Sequence, residues 1–112
     1  METNIKGLPE GKKYFSEVGY SQTYPWVVVS ETAMTKTLAK VNVKRDPEWK
    51  PHIIPGGFAG HCDNQHEQTW LFDKIDEART MTIQMSKKHG DWRHKGVRFL
   101  EDVATEFYDY NF

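Results

Sequence analysis

Ala39-Lys40-Val41-Asn42-Val43-Lys44 reads AKVNVK, strict alternation of apolar and polar side chains. Successive side chains of an extended chain point to opposite faces, so this period of two marks a β-strand. Ala39, Val41 and Val43 make the core face, and Lys40, Asn42 and Lys44 the solvated one. The pattern recurs in Arg79–Met85 (RTMTIQM), with Met81, Ile83 and Met85 on one side and Thr80, Thr82 and Gln84 on the other. Tyr24–Val29 is rich in aromatic and β-branched residues, the composition that fills a pleated surface, and Pro25 suits a strand start or an edge.

Working outward, Tyr14, Ser16 and Val18 alternate with Phe15 and Glu17, and Gly19–Thr23 forms a turn. Glu31–Lys36 is a polar connection. Gln68–Phe72 is a strand, Asp73–Ala78 a second polar connection, and Lys88–Asp91, with Gly90, a hairpin turn into Trp92–Lys95. Residues 1–11, ended by Pro9 and Gly11, are expected to be a flexible lead-in to a single β-rich domain over 12–112. Near the end, Phe99, Leu100, Val103, Ala104, Phe107 and Tyr108 also fit helical spacing. A short C-terminal helix therefore stays open beside the preferred hairpin turning at Glu101–Asp102. The fold class is mostly β: a small barrel or sandwich of short antiparallel strands with one long central loop, residues 46–65.

A length of 112 residues fits one domain with one modest core, and leaves little room for a deep private cavity. A sizeable ligand is thus expected in a surface groove or between subunits of a homo-oligomer. The net charge of −1 gives no global attraction to nucleic acid or anionic membrane. Cys62 is the single cysteine, which rules out an intrachain disulfide and favours a reducing, cytoplasmic setting. Met1–Lys13 lacks the apolar stretch of a signal peptide, and no apolar run approaches the roughly 20 residues of a membrane helix, so no membrane partner is expected.

The passage IPGGFAGHCDNQHEQTW, residues 54–70, concentrates the reactive side chains. His61, Cys62 and His66 with Asp63 or Glu67 are zinc-type ligands, and the His61–His66 spacing is permitted, but the cysteine pair of a structural zinc motif is missing. Cys62 beside His61 or His66 suggests a thiol nucleophile, yet residues adjacent in sequence usually point apart, and no orienting group or oxyanion hole is evident. Ligand recognition is the third reading and the preferred one. Asn64, Gln65 and Gln68 offer amides of fixed geometry, and Trp49, Phe58 and Trp70 offer rings for stacking. Neither a catalytic set nor a metal or cofactor is expected. The competing assignment leaves Asn64 capping a turn and Trp70 and Phe72 in the core.

A basic run, SKKHGDWRHKGVR, covers residues 86–98 and places Arg93 and Arg98 near Trp92. Charge interleaved with an aromatic suits phosphate and ring contacts, although a solvated hairpin tip has the same composition. Lys40, Lys44, Arg45 and Lys50 form a second basic strip.

The order of features resembles a group of short phage and prophage proteins, similar to the Thoeris anti-defence sponges. The likeness rests on YSQTYPWVVV, VKRDPEWKP, PGGFAGHCDNQHEQTW and the ending EFYDYNF. It implies a β-rich homo-oligomer in the host cytoplasm that sequesters a cyclic nucleotide-type immune signal without cleaving it. Arginines would hold phosphates and an aromatic would stack on the base. This chain carries Ser21-Gln22-Thr23 and Ala104-Thr105-Glu106 where arginine is expected, which leaves Arg45, Arg93 and Arg98 as candidates. The alternatives are an inhibitor that docks onto a host defence protein, of CRISPR or nuclease type, and a small nucleic-acid-binding β-barrel.

Overall fold

The computed structural model describes residues 1–56 and 60–111. Among these residues eleven strands follow in order: β1 (Glu2–Thr3), β2 (Ile5–Lys6), β3 (Tyr14–Val18), β4 (Thr23–Glu31), β5 (Thr35–Arg45), β6 (Ile53–Ile54), β7 (His61–Cys62), β8 (Trp70–Ser86), β9 (Asp91–His94), β10 (Val97–Glu101) and β11 (Val103–Ala104). A single 3-10 turn, Gln65–Glu67, is the one helical element among the described residues. None of these elements is a helix long and apolar enough to cross a membrane.

Six strands run in the order β8-β5-β4-β3-β10-β9, and β9 pairs with β8 as well as with β10. The ring therefore closes into a small barrel, an arrangement that removes most free sheet edges. Every pairing in the ring is antiparallel. Phe15, Trp26, Leu38, Ile83, Trp92 and Phe99 fill its interior, with Met81 and Met85 packed against them. The RTMTIQM alternation sorts as the sequence predicts, since Ile83 is buried inside while Thr80, Thr82 and Gln84 are exposed. The predicted turn at Gly90 forms with φ +70°, and a second hairpin turns on Lys95 and Gly96, both at positive φ.

In β5 the outcome differs. Ala39 and Val41 are buried on the outer face, in a second cluster with Tyr14, Val27 and Ala104. Lys40 lies on the interior face and is only 8% exposed. Both faces of β5 are covered because the two chain ends wrap the barrel. The predicted flexible lead-in is instead anchored: β1 pairs in parallel with β11, β2 pairs in parallel with β8, and Ile5 is buried. Lys6 reaches Asp46 and Glu48, both at 2.7 Å.

The preferred hairpin at Glu101–Asp102 and the short C-terminal helix left open beside it both give way to a kinked extended tail. Asp102 takes φ +60°, so β11 leaves the direction of β10 and pairs with β1. Buried Ser16 holds that path, its hydroxyl donating to Val103 O and accepting from Thr105 N–H. Most strands are short, as expected, but β8 is long. Asp73–Ala78, predicted as a connection, lies inside the 17-residue β8. Its polar residues are accommodated by two bulges, described below.

Candidate functional site

The predicted site residues divide into three groups. The first surrounds the central loop, whose amides are bonded within the chain, whereas the buried Trp49 Nε1 has no hydrogen-bond partner among the described residues. Asn64 Oδ1 accepts from the His52 N–H at 2.8 Å and the Cys62 thiol at 3.3 Å, and its Nδ2 donates to Lys50 O. Gln65 Oε1 accepts from Tyr110 N–H. Gln68 is 2% exposed; its Nε2 donates to Gln65 O and Tyr108 O, while its Oε1 accepts from Trp70 Nε1 and Tyr108 N–H. Asn111 pairs with both backbone groups of Cys62, and Trp49 packs on Tyr110 at 5.5 Å. These amides and rings fasten the loop to the C-terminal tail, leaving them little capacity for a ligand. Phe58 lies outside the described residues. Among those described, no three His, Cys, Asp or Glu side chains converge as a metal site, and Cys62 is buried.

The second group is Arg45, exposed at the end of β5, its guanidinium 3.4 Å from the Tyr110 hydroxyl. The third is Arg93 and Arg98, directly opposite one another on β9 and β10. Arg93 is held by Asp91 at 2.7 Å, and that guanidinium keeps the Asp91 carboxyl below its ordinary pKa. Arg45 pairs with Trp70 and Arg93 with Gln84, at opposite ends of β8. The separation is roughly 40 Å at the rise of an extended strand, so one small ligand does not touch both.

A different place gathers uncommitted chemistry, and three backbone irregularities create it. Pairing of β4 with β5 stops at Trp26↔Lys40, although β4 continues beside β3 through Ser16↔Pro25 and Glu17↔Tyr24. Pro25 has no N–H to give to β5, so the strands part there. The tail takes the vacated edge, with Thr23 and Phe107 exchanging both backbone hydrogen bonds. Opposite, β8 bulges twice. Ala39↔Thr80 is followed by Lys40↔Asp76, and Asn42↔Lys74 by Val43↔Phe72, which releases Glu77–Arg79 and Asp73 from pairing. Bulges re-aim side chains in this way beside functional sites.

The result is an open cleft of about 700 Å³ at the barrel mouth, a volume within the range of small-molecule sites. Tyr24 and Trp70 give it aromatic surface, and Asn42 and Val43 line it from β5. Glu17, Asp73 and Glu106 bring carboxyl groups, Lys40 and Arg79 cations. Trp26 lies beneath, its Nε1 donating to Glu17 Oε1 at 3.0 Å, with Lys40 Nζ and Arg79 Cζ each 5.9 Å from its ring.

Lys40 is the unusual member. Its Nζ donates to Val41 O at 2.7 Å and Pro25 O at 3.4 Å and lies within 4 Å of no carboxylate among the described residues. Burial lowers its pKa and Arg79 adds to that, while attraction from Glu106 and Glu17 opposes it. Burial raises the Glu106 pKa, against the pull of Lys40. Asn4 fixes Glu106 in place, bonding both its N–H and its C=O. A buried cation without a direct counter-ion costs free energy that a structural role seldom requires, and perturbed groups in a cleft mark candidate sites.

The sequence reading placed Lys40 on a solvated face and passed over Glu17, Tyr24, Arg79 and Glu106. Two signals pointed there: a proline within an aromatic, β-branched run, and a polar interruption, DKIDEA, between two strand-like segments. No family model matches this chain, and no curated protein or solved structure shows significant similarity to it.

Proposed function

We propose that the protein binds a nucleotide-type small molecule in the barrel-mouth cleft and holds it without converting it. The observation that carries this reading is the unspent polar capacity of the cleft. Among the described residues Arg79, Asp73 and Asn42 make no side-chain hydrogen bond or ion pair, Arg79 meeting only the Trp26 ring, in contrast to the central-loop amides. A ligand suited to the cleft presents a negative charge to Arg79 and Lys40, donors to the carboxylates, and a flat ring to Tyr24 or Trp70. A nucleotide supplies all three, through phosphate, ribose and amino groups, and base.

On this reading the biological role is that of a phage-type anti-defence protein that sequesters a nucleotide immune signal in the host cytoplasm, as a homo-oligomer. A melting screen of the intact chain against cyclic and linear nucleotides tests it, with the mass in solution measured alongside. Binding at 100 times Kd adds about 2.7 kcal/mol by mass action. The expected result is a raised melting temperature for at least one nucleotide and recovery of that nucleotide unchanged after denaturation. No shift with any nucleotide, or recovery of a cleaved product, contradicts the proposal.

The adjacent pair Arg93 and Arg98 favours a second reading, contact with a nucleic-acid backbone through the basic hairpins. It predicts affinity for single- or double-stranded nucleic acid that falls steeply with salt. Salt-insensitive or absent binding removes it.

A further inference from the structure

Lys40 Nζ is buried at the wall of the cleft, bonded to two backbone carbonyls and 5.9 Å from the Trp26 ring. An ammonium has three N–H donors, and a neutral amine has two and a lone pair. Two backbone carbonyls, Val41 O and Pro25 O, accept from Nζ, and among the described residues no carboxylate is close enough to receive a third proton as an ion pair. One tetrahedral position on Nζ is therefore uncommitted by these bonds, in a residue that lines the open cleft. Charged or titratable groups face it from each neighbouring element: Glu17 on β3, Tyr24 on β4, Asp73 and Arg79 on β8, and Glu106 on the tail.

We propose that Lys40 captures an aldehyde ligand in the cleft by forming an imine through Nζ. The Nζ lone pair adds to the carbonyl carbon, and one Nζ proton passes to the former carbonyl oxygen, giving a carbinolamine. Glu106, as the carboxylic acid, protonates that hydroxyl, which departs as water while the nitrogen lone pair closes the C=N bond. The remaining Nζ proton returns to the Glu106 carboxylate, so one aldehyde gives one imine and one water with no oxidant or reductant. Burial favours both reacting forms, the neutral amine and the protonated carboxyl. The ligand class is a small aldehyde carrying hydroxyl or anionic groups, such as the open-chain form of a reducing sugar phosphate. Arg79 would meet the anion, and Glu17 and Asp73 would accept from hydroxyls. The inference rests on the cleft being the ligand site and goes beyond the nucleotide reading, because a nucleotide has no free aldehyde: it assigns the cleft a second ligand class, held covalently and reversibly.

The test treats the full chain with one equivalent of pyridoxal 5′-phosphate at neutral pH, reduces it with cyanoborohydride and maps the adduct by peptide mass. The expected result is a single adduct on Lys40, lost in Lys40→Arg and slowed in Glu106→Gln. Should Lys40→Arg fail to fold, the wild-type map decides alone. Label spread over exposed lysines such as Lys12, Lys50 and Lys87, with Lys40 unmodified, overturns the inference. A nucleotide-induced rise in melting temperature together with an unlabelled Lys40 also overturns it, while leaving the non-covalent reading of the cleft standing.

Discussion

The central loop and the barrel mouth are made of similar residues and differ in what those residues still have to offer. The loop and the 3-10 turn after it, residues 46–68, hold three amides, three histidines and a cysteine, and the amides are engaged within the chain: Gln68 alone makes four bonds that hold the turn, Trp70 and the tail together. The mouth has carboxylates, two cations and aromatic rings arranged around open space. Polar residue types therefore do not distinguish a ligand site from a structural knot; the remaining hydrogen-bonding capacity does. A buried polar group satisfied within the chain stabilises the fold, and one facing a cleft can do so for a ligand.

Mutations sharpen this contrast. Trp26→Ala should cost most, about 3–5 kcal/mol by urea unfolding, because the ring is 1% exposed and supports both the core and the cleft floor. Gln68→Ala should follow at roughly 2–4 kcal/mol, since it orphans the indole N–H of Trp70 and the backbone groups of Tyr108. An unfolding midpoint unchanged from wild type would break the claim that this amide is structural. Asn64→Ala, in a less buried position, should cost about 1–2 kcal/mol. Arg79→Ala should change stability by no more than about 1 kcal/mol, the scale of an exposed cation–π contact, while removing ligand binding.

Acid should weaken the junction of the loop and the N-terminus. Lys6, the Glu48 N–H and Thr69 bond the Asp46 carboxylate and hold its pKa down to about 2, from 3.8. A lowered folded-state value means stabilisation that is fully present above pH 3.8 and is lost as pH falls towards about 2. Asp46→Asn should flatten that part of the acid-unfolding curve, and an unchanged curve would count against the Asp46 bonds.

The β character was legible because alternation is a local signal. In RTMTIQM it also assigned the faces correctly, since the outer face of that part of β8 meets solvent. In AKVNVK it placed Lys40 outside, because coverage of Ala39 and Val41 comes from Leu8 and Ala104, far away in sequence. The same long-range pairing turned the lead-in into strands and drew the tail away from both helix and hairpin. The cleft was hidden for a related reason. Pro25, the β8 bulges and Glu106 belong to separate segments, and their meeting depends on barrel closure, which no local window contains.

The most direct comparison is ligand-dependent melting of Asn64→Ala and Arg79→Ala beside the parent chain, using the nucleotide that gives the largest shift. The expected result is a lower melting temperature with the ligand shift retained for Asn64→Ala, and a near-parental melting temperature with the shift abolished for Arg79→Ala. The reverse pattern, with binding lost at Asn64 and kept at Arg79, would return the site to the central loop.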